Sequence, residues 1–528
     1  MADDVTRYQF GPLESRGLIG GLRLSQVVLV GGALVVAVGL LYLLPTGTNA
    51  FAALGVVLVA SGVAFWPLRG RTLEQWVPVV GAWAGRRLRG RHRYRSRAPV
   101  AGATIDASGG ANGAAGDDAE PATPAPPTDL PDAVGGVEIL SVPYRGSAIG
   151  VLKEGPLFGV VLQCRVRSFG LLDSAEQEHR LAGWGEVLAS YAGERVPIRR
   201  VQWVERTVPS DGDQVARYFS EQRDTAIPLS APSVRSYIDL IDAAGAVTQE
   251  HELFLALQLD ARRARGAIRK LVRAEVGDEQ PRKRAERERQ VDRAACTLAL
   301  REAETLINRL ELADVRVDGA LPPAALGRCV RDAYDPYGRR ARTRLAALEP
   351  SANGAGAARA WPVGAEESWD SYQTDSALHV TYWISQWPRV EVGASFLSPL
   401  LMQTPVLRSI AVTFEPVSLT RSMRAAEQAM TSEMADEAVR QRQGFISTAR
   451  KRLQQQATSR REEELASGHA EMRMAGFVTV SARDEEELDR ACAEVEHAAQ
   501  QAHIEIERMY GQQATAFSFT LPLCRGLR

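Results

Sequence analysis

The hydrophobic pattern divides the chain into an apolar amino-terminal part and a long body of mixed composition. Residues 27–44 (VVLVGGALVVAVGLLYLL) and 50–68 (AFAALGVVLVASGVAFWPL) contain no charged side chain. Each run approaches the roughly 20 residues that span a hydrocarbon core, and a helix of a soluble protein is seldom apolar on every face. The pattern predicts a transmembrane hairpin of two helices joined by a short uncharged turn.

Arginines flank the predicted hairpin on both sides. Residues 1–97 contain twelve Arg against four Asp or Glu, a local charge of +8 in a chain of net charge -1. Because the cytoplasmic flanks of membrane helices are rich in Arg and Lys, we expect a multi-pass protein of the inner cell membrane with both termini cytoplasmic. A cleaved signal peptide is the alternative for the first span, but its apolar run is longer than that of a signal peptide and a second span follows at once.

A basic segment from Arg86 to Arg97 (RRLRGRHRYRSR) lies some twenty residues beyond the second span, and Trp76 and Trp83 precede it at helical spacing. Basic residues beside a membrane attract anionic lipid headgroups. We therefore expect an interfacial amphipathic stretch that contacts anionic lipid near Arg86 to Arg97. A nucleic-acid patch is the alternative.

The composition then changes to that of a linker. Residues 98–136 are mainly Ala, Gly, Pro, Thr and Asp with almost no large hydrophobic residue, which is typical of a disordered tether. It separates the membrane hairpin with its basic segment, 1–97, from a cytoplasmic body. Within the body, 137–348 is predicted as a first α+β unit with a charged helical excursion, and 360–528 as a second α+β unit.

The first unit begins with three short β-rich runs between residues 137 and 169. A helical stretch at 174–191, a strand at 196–206, a strand at 251–259 and a long helix at 290–312 follow. This order of elements is ferredoxin-like in rhythm.

The second unit has a comparable order. It contains a β-hairpin around Asp375 and Ser376, strands at 406–417 and 476–482, a long polar helical pair over 419–466, a helix over 485–510 and a closing strand over 514–523. The fold class is therefore α+β, with one or two ferredoxin-like units carrying long helices, and a distant internal duplication is consistent with the repeated order.

The chain lacks the motifs of common catalytic sites. It contains no Gly-Lys pair, and hence no GxxxxGK[ST] loop to cradle phosphates, and neither GxGxxG, GxSxG nor HExxH. The cysteines have no metal-binding spacing and are predicted to be buried thiols of a reducing compartment; they are Cys164, Cys296, Cys329, Cys492 and Cys524. We assign no catalytic, cofactor-binding or metal-binding residue and expect no enzymatic activity.

Three alternatives stay open: a ligand platform, an enzyme and a DNA-binding protein. An aromatic-rich region is favoured as the core around one hairpin over a ligand platform; it comprises Trp361, Trp369, Tyr372, Tyr382, Trp383 and Trp387. A membrane-anchored transferase would need a site built from scattered acids such as Asp370 and Asp375. A DNA-binding coupling factor would use residues 86–97 and the charge-dense stretch 260–289, whose interleaved acids favour a solvated helix.

Five stretches carry a resemblance to a known group of proteins. They are FGVVLQCRVRSFGLLDSAEQEHRLAGWGEVLA (158–189), VQWVERTVP (201–209), VTYWISQWPRVEVGASFLSPLL (380–401), EELASGHAEMRMAGFVTVSA (463–482) and FSFTLPLCRG (517–526). In these stretches the chain resembles actinobacterial membrane proteins encoded with conjugation or secretion machinery. The layout is similar to a two-helix membrane protein of the PrgI type joined to the amino-terminal domain of the TrbE/CagE ATPases of type IV secretion.

The resemblance implies a non-catalytic inner-membrane subunit of a secretion or conjugation apparatus. In the TrbE/CagE ATPases a similar domain leads into the motor domain, whose P-loop has no counterpart here. The resemblance therefore implies that a secretion ATPase on a separate chain docks on the body, together with other membrane subunits, and that the protein is an oligomer. The alternative resemblance is to the type VII secretion component EccE, which has two amino-terminal membrane helices and a cytoplasmic α+β domain without a nucleotide site; residues 151–184 would suit such a domain.

Overall fold

The computed structural model describes most of the chain outside the predicted linker. The described residues are 10, 24–43, 47–68, 71–96, 130–165, 169, 172–194, 196–209, 218–219, 222–224, 227–228, 230–247, 249–276, 283–339, 342, 360–402, 405–442, 459–466 and 469–527. Residues 98–129 of the predicted linker lie outside them.

Two apolar helices open the described chain, α1 (Leu24–Leu43) and α2 (Gly47–Phe65). They cover most of the two predicted spans. Both are long and apolar enough to cross a membrane, and only 17% and 11% of their most apolar stretches are buried. Small residues are buried where the helices pack, Ala33 and Ala37 on α1 and Ala53 and Ala64 on α2, which allows a close approach of the two backbones. Gln26 closes the contact by donating to the carbonyl of Ala64 (2.9 Å).

The remaining helices belong to the body or connect it to the hairpin. They are α3 (Leu73–Leu88), α4 (Ser174–Ala189), α5 (Pro232–Val247), α6 (Arg265–Val276), α7 (Arg284–Leu312), α8 (Pro323–Tyr334), α9 (Ser398–Met402), α10 (Leu419–Arg442), α11 (Glu485–Gln501) and α12 (Gln513–Phe517). A helical stretch at 459–466 follows α10.

The strands vary in length from 2 to 12 residues. They are β1 (Pro67–Leu68), β2 (Arg71–Thr72), β3 (Arg93–Arg95), β4 (Val137–Tyr144), β5 (Ser147–Glu154), β6 (Leu157–Arg165), β7 (Ile198–Pro209), β8 (Gln249–Asp260), β9 (Arg316–Ala320), β10 (Gly364–Glu367), β11 (Tyr372–Gln373), β12 (Leu378–Gln386), β13 (Arg408–Pro416), β14 (Met472–Ala482) and β15 (Glu505–Arg508).

One antiparallel sheet of 13 strands, β3 to β15, forms the centre of the body. Its order is β3-β10-β11-β12-β14-β13-β7-β8-β6-β5-β4, with β15 also paired to β12 and β9 to β6. The middle pair joins β7 to β13, where Ile410 lies opposite Glu205 and Phe414 opposite Val201. The predicted units 137–348 and 360–528 therefore share one continuous sheet, which their sequence patterns do not reveal.

Helices cover one face of this sheet in both halves. In the first half Phe158, Leu162 and Leu257 pack with Ala295 and Leu306 of α7. In the second half Tyr382 and Val478 pack with Val495 of α11. Trp203 of β7 contacts both clusters, so the two hydrophobic cores meet at the middle of the sheet.

The opposite face carries α8, α12 and the carboxyl-terminal segment. Val204 and Ala256 of the sheet pack here with Leu326 of α8, Phe517 of α12 and Leu523. Because both faces of the central strands are covered, strands such as β7 are buried along most of their length.

The stretch 514–523, predicted as a closing strand, is instead α12 followed by turns. The backbone of this segment and of the two residues after it forms hydrogen bonds with buried side chains of the sheet and not with a neighbouring strand. Gln202 of β7 donates to the carbonyl of Phe519 (2.8 Å) and accepts from the N–H of Cys524 (2.7 Å), and Thr413 donates to the carbonyl of Arg525 (2.9 Å). The prediction was wrong because the alternating apolar residues fit this arrangement as well as they fit a strand.

The helix predicted over 485–510 also ends early. Helix α11 stops at Gln501, His503 adopts a left-handed backbone conformation (φ 54), and β15 then pairs with β12. Of the helical pair predicted over 419–466, the structure describes α10 and residues 459–466. The predicted break near Gly444 lies outside the described residues.

Candidate membrane-docking site

Helix α3 connects the hairpin of α1 and α2 to the sheet. The N–H of Thr72, just before it, donates to the side chain of Gln75 (3.2 Å), a contact typical of helix starts. Glu74 in its first turn accepts a hydrogen bond from Ser25 of α1 (3.2 Å). The start of α3 is therefore held beside the end of the hairpin from which α1 begins.

One face of α3 presents two tryptophans to the body. Trp76 is buried, with its ring 6.0 Å from that of Trp369 and 6.1 Å from that of Tyr510. Trp83 meets Trp369 edge to face at 5.2 Å. Aromatic pairs of this kind contribute roughly 0.5–1.5 kcal/mol beyond the area that they bury, so this cluster binds α3 to the second half of the sheet.

Arg86 adds a charged contact at the end of the same face. Its guanidinium donates to Glu367 of β10 (Nε to Oε2 3.0 Å) and to the carbonyl of Gly511 (2.5 Å). Glu367 is 3% exposed and also accepts from the N–H of Ala514 (3.1 Å). Neither Glu367 nor Gly511 stands out in the sequence, since both lie hundreds of positions from Arg86 and belong to no motif.

Residues on either side of α3 extend the attachment. Before it, Arg71 lies 3.5 Å from Glu507 of β15. After it, β3 pairs with β10, and the N–H of Ser96 donates to the carbonyl of Val363 (2.7 Å). Part of the basic segment, Arg93–Arg95, is thus an edge strand of the sheet, although the segment was predicted within a separate unit, 1–97.

The two ends of the predicted linker lie close together on the body. Arg91, just before it, lies 3.7 Å from Asp132, within the predicted linker range and close to its far end. The predicted linker follows β3 in the chain, and β3 is already paired with β10 of the body. The length of the linker therefore does not set the distance between the hairpin and the body. The attachment of the hairpin is therefore fixed by α3 and β3.

The opposite face of α3 is apolar and exposed. Val77, Val80 and Leu88 are 65%, 44% and 88% exposed, and Gly81 and Ala82 are exposed as well. No charged residue occurs between positions 77 and 85. The helix thus has one face bound to protein and a second apolar face directed away from it.

A further contact lies before the hairpin. The ring of Phe10 stacks on Trp387 at 5.5 Å and lies 5.5 Å from the ring of Phe396, and its N–H donates to the carbonyl of Pro388 (3.4 Å). The body therefore holds the chain on both sides of the two apolar helices α1 and α2. Nothing in the sequence pattern singled out Phe10.

The aromatic residues grouped by sequence do not form one cluster. Trp369 belongs to the docking site and Trp387 contacts Phe10. Trp361 and Tyr372 belong to the core under α8 and α12, and Tyr382 to the core under α11. Trp383 is partly exposed. The region therefore serves several packing contacts, and the structure does not bring its members together as one platform.

Asp370 and Asp375 are likewise held by different partners. Asp375 binds Arg331 (2.5 Å) and accepts from the N–H groups of Val363 and Gly364 (2.9 and 2.7 Å). The carbonyl of Asp370 accepts from Arg508. Asp375 thus stabilises the entry to β10, and its lone pairs are engaged by these contacts.

The arginines of segment 86–97 divide between the body and the surface. Arg86 points to Glu367, and Arg93 pairs with Glu366 (2.8 Å). Arg87, whose guanidinium lies over the ring of Trp83 at 5.3 Å, is exposed, as are Arg89 and Arg95. Lipid contact stays a prediction for these exposed arginines, while Arg86 has a structural role.

The second basic stretch, 260–289, is partly described. It comprises α6 and the start of α7, where Arg284 forms an exposed pair with Glu288 (2.9 Å) on the same helix. Such a pair agrees with the predicted solvated helix. DNA contact by this stretch stays a prediction.

A buried ionic network lies where the two halves of the sheet meet. Arg206 of β7 binds Glu252 of β8 (2.6 Å), which also binds Arg339 (2.8 Å). Burial alone would raise the pKa of Glu252, but the positive charges of Arg206 and Arg339 outweigh it and lower that pKa below its usual range. This network fixes β7 and β8 to the segment after α8.

Within the part of the chain that the structure describes, no group of three or more His, Cys, Asp or Glu side chains is arranged to hold a metal ion. Compared with known proteins, the chain matches no family model. No curated protein sequence matches it either, so its function rests on the geometry described above.

Proposed function

We propose that the protein is a non-catalytic inner-membrane subunit of a bacterial secretion or conjugation apparatus, with both termini cytoplasmic and a body that docks a separate ATPase. The observation that carries this proposal is the attachment of α3. The Trp76 and Trp83 contacts and the Arg86–Glu367 pair join the membrane hairpin to the body without a free tether. A scaffold that holds a soluble motor at a fixed place on a membrane needs such a connection.

We also propose that the body consists of two ferredoxin-like units related by duplication. The spatial order β9-β6-β8-β7 in the first half corresponds to β15-β12-β14-β13 in the second. Each is the order 4-1-3-2 of a ferredoxin-like βαββαβ unit. In each half two further strands lead into the first strand, and a helix after the fourth strand, α8 or α12, packs on the opposite face. The units pair through equivalent strands, β7 and β13.

The helical insertion between β13 and β14 is the surface that we propose for the ATPase. Helix α10 has 24 residues, and Ser422 and Ala426 near its start are buried against the body. Among the described residues of the first unit, the connection between β7 and β8 carries the 16-residue α5 and a few helical residues at 218–219 and 222. The longer helix of the second unit supports a role specific to that unit.

Purification of the full chain from host membranes tests the proposal. We expect a P-loop ATPase of the conjugation type and other membrane subunits to co-purify with it. A variant in which a short Gly-Ser turn replaces residues 430–458 should lose the ATPase and keep the membrane subunits. Removal of the same number of residues at 101–129 is the matched control and should keep both. If neither an ATPase nor any component of a secretion machine is recovered, the proposal is wrong.

The type VII alternative is an EccE-like membrane component. The same arrangement of two apolar helices and an α+β body supports it equally well. The identity of the co-purified proteins separates the two. Components of a type VII machine in place of a conjugation ATPase would favour the alternative and retain the scaffold role.

A further inference from the structure

The apolar face of α3 forms a continuous stripe along the helix. Val77, Gly81, Ala84 and Leu88 follow one another at intervals of four or three residues, with Val80 beside them. This spacing places side chains in line on one helical face. Trp76 and Trp83, on the other face of α3, pack against Trp369 of the body, so the stripe is directed away from the body.

The surroundings of the stripe indicate what covers it. Helix α2 ends at Phe65, shortly before α3, and Phe65 and Trp66 at that exit are 48% and 65% exposed. Tryptophan is enriched where membrane helices leave the bilayer. At the other end of α3, Arg87 and Arg89 are exposed. Along the chain the stripe thus follows the exposed apolar exit of α2, and exposed arginines lie at its far end.

We propose that α3 lies in the plane of the membrane interface, with the stripe from Val77 to Leu88 among the lipid acyl chains and Arg87 and Arg89 on anionic headgroups. The occupant of this face is the bilayer that holds the hairpin, and the inference rests on the proposed membrane anchoring. A helix with one apolar face and flanking arginines binds at such an interface.

This placement determines how the body lies on the membrane. Because α3 binds Trp369 and Tyr510 beside β10 and β15, that edge of the sheet faces the bilayer. The hairpin alone would permit rotation about its exit, whereas an in-plane helix adds a second line of contact. The body is held in one orientation.

Depth-dependent fluorescence quenching tests the proposal in the full chain reconstituted into lipid nanodiscs. Single cysteines are introduced as Val77→Cys or Leu88→Cys and labelled with an environment-sensitive dye. We expect emission at shorter wavelength and strong quenching by lipids that carry a nitroxide near the headgroup. Glu486→Cys, at a side chain 88% exposed on α11, is the control and should remain in water.

A label at Val35→Cys on α1, where the side chain is 73% exposed, separates this proposal from the membrane anchoring. If the Val35 label is quenched by nitroxides deep in the bilayer while the Val77 and Leu88 labels behave like that at Glu486, the in-plane position is wrong and the anchoring stands. If the Val35 label is not quenched, the anchoring itself is wrong and this inference with it.

The role of the arginines has its own test. In discs that contain phosphatidylglycerol, the Val77 label should be quenched more strongly than in discs of phosphatidylcholine alone. The double variant Arg87→Gln, Arg89→Gln should lose that difference, and Arg284→Gln, at a side chain 93% exposed on α7, should keep it. Equal quenching in both lipids with the native arginines would overturn the headgroup contact.

Discussion

Arg86 and Glu367 form an ion pair, Nε to Oε2 3.0 Å, although 281 positions separate them in the chain. Glu367 is 3% exposed and Arg86 is 21% exposed. Glu367 also accepts from the N–H of Ala514, and Arg86 also donates to the carbonyl of Gly511. One pair therefore joins α3, strand β10 of the sheet and the carboxyl-terminal segment.

Glu367→Ala tests this junction. The substitution leaves the guanidinium of Arg86 and the N–H of Ala514 without their common acceptor, so we expect a loss of about 1–3 kcal/mol in the free energy of unfolding. Thermal unfolding in detergent measures it. Glu366→Ala is the matched control, because Glu366 and Arg93 are 42% and 67% exposed and such a pair contributes about 0–1 kcal/mol. Equal losses in both variants would contradict a special role for Glu367.

His379 predicts a specific pH dependence of stability. Its ring is fully buried between Thr374 and Ser481, at 2.8 Å from each hydroxyl. Burial lowers the pKa of His379 from 6.5 to about 3, although the Tyr334 carbonyl and Asp335 oppose this. The unfolded chain takes up a proton below pH 6.5 and the folded chain does not. The contribution of His379 to the free energy of unfolding is therefore fully present above pH 6.5. Below that pH it falls by about 1.4 kcal/mol per pH unit towards pH 3.

Urea unfolding at several pH values measures this slope. His379→Gln should lower the free energy of unfolding at pH 7, because its hydrogen bonds are altered. Below pH 6.5 the free energy of unfolding of this variant should depend less steeply on pH, by about 1.4 kcal/mol per pH unit, because one fewer proton is taken up on unfolding. His497→Gln, at an exposed position on α11, should leave that slope unchanged. If His379→Gln showed the same slope as the native chain, the buried imidazole would not be its source.

The positions of most strands and helices follow from the sequence because they depend on local patterns. The alternation of apolar residues in β4, β5 and β6 and the turn at Asp375 and Ser376 are local signals, and the structure has these elements where they were predicted. The apolar runs at 27–44 and 50–68 are stronger still, and α1 and α2 cover most of them.

The joining of the units and the docking site depend on contacts between distant residues. Val204 has the sequence surroundings of an ordinary strand residue, and the pattern of apolar and polar residues does not show that β7 pairs with β13. Gln202 is polar within a strand, and only the structure shows that it binds the backbone of Phe519 and Cys524. Trp76 and Trp83 were noticed for their spacing, but their partner Trp369 lies hundreds of positions later.

The five cysteines give a simple test of the packing. All are buried, and burial raises the pKa of the Cys329 and Cys524 thiols to about 12. Since the thiolate is the reactive form, we expect no reaction of the folded protein with a thiol reagent such as Ellman's reagent at pH 8, and release of five equivalents after denaturation. Glu486→Cys is the positive control and should add one fast equivalent. Fast reaction of a native cysteine would contradict the packing around it.

Gly511 is the position at which the docking site is most sensitive to a single methyl group. Its φ is 67, and a Cβ there would lie 2.6 Å from the ring of Trp369. Gly511→Ala should cost about 1–2 kcal/mol from backbone strain and about 1–3 kcal/mol more from displacement of Trp369. Gly146→Ala, also at positive φ but with no atom within 4 Å, isolates the strain. We expect only Gly511→Ala to speed trypsin cleavage at Arg86 and Arg87, and equal cleavage in both variants would show that Trp369 does not hold α3.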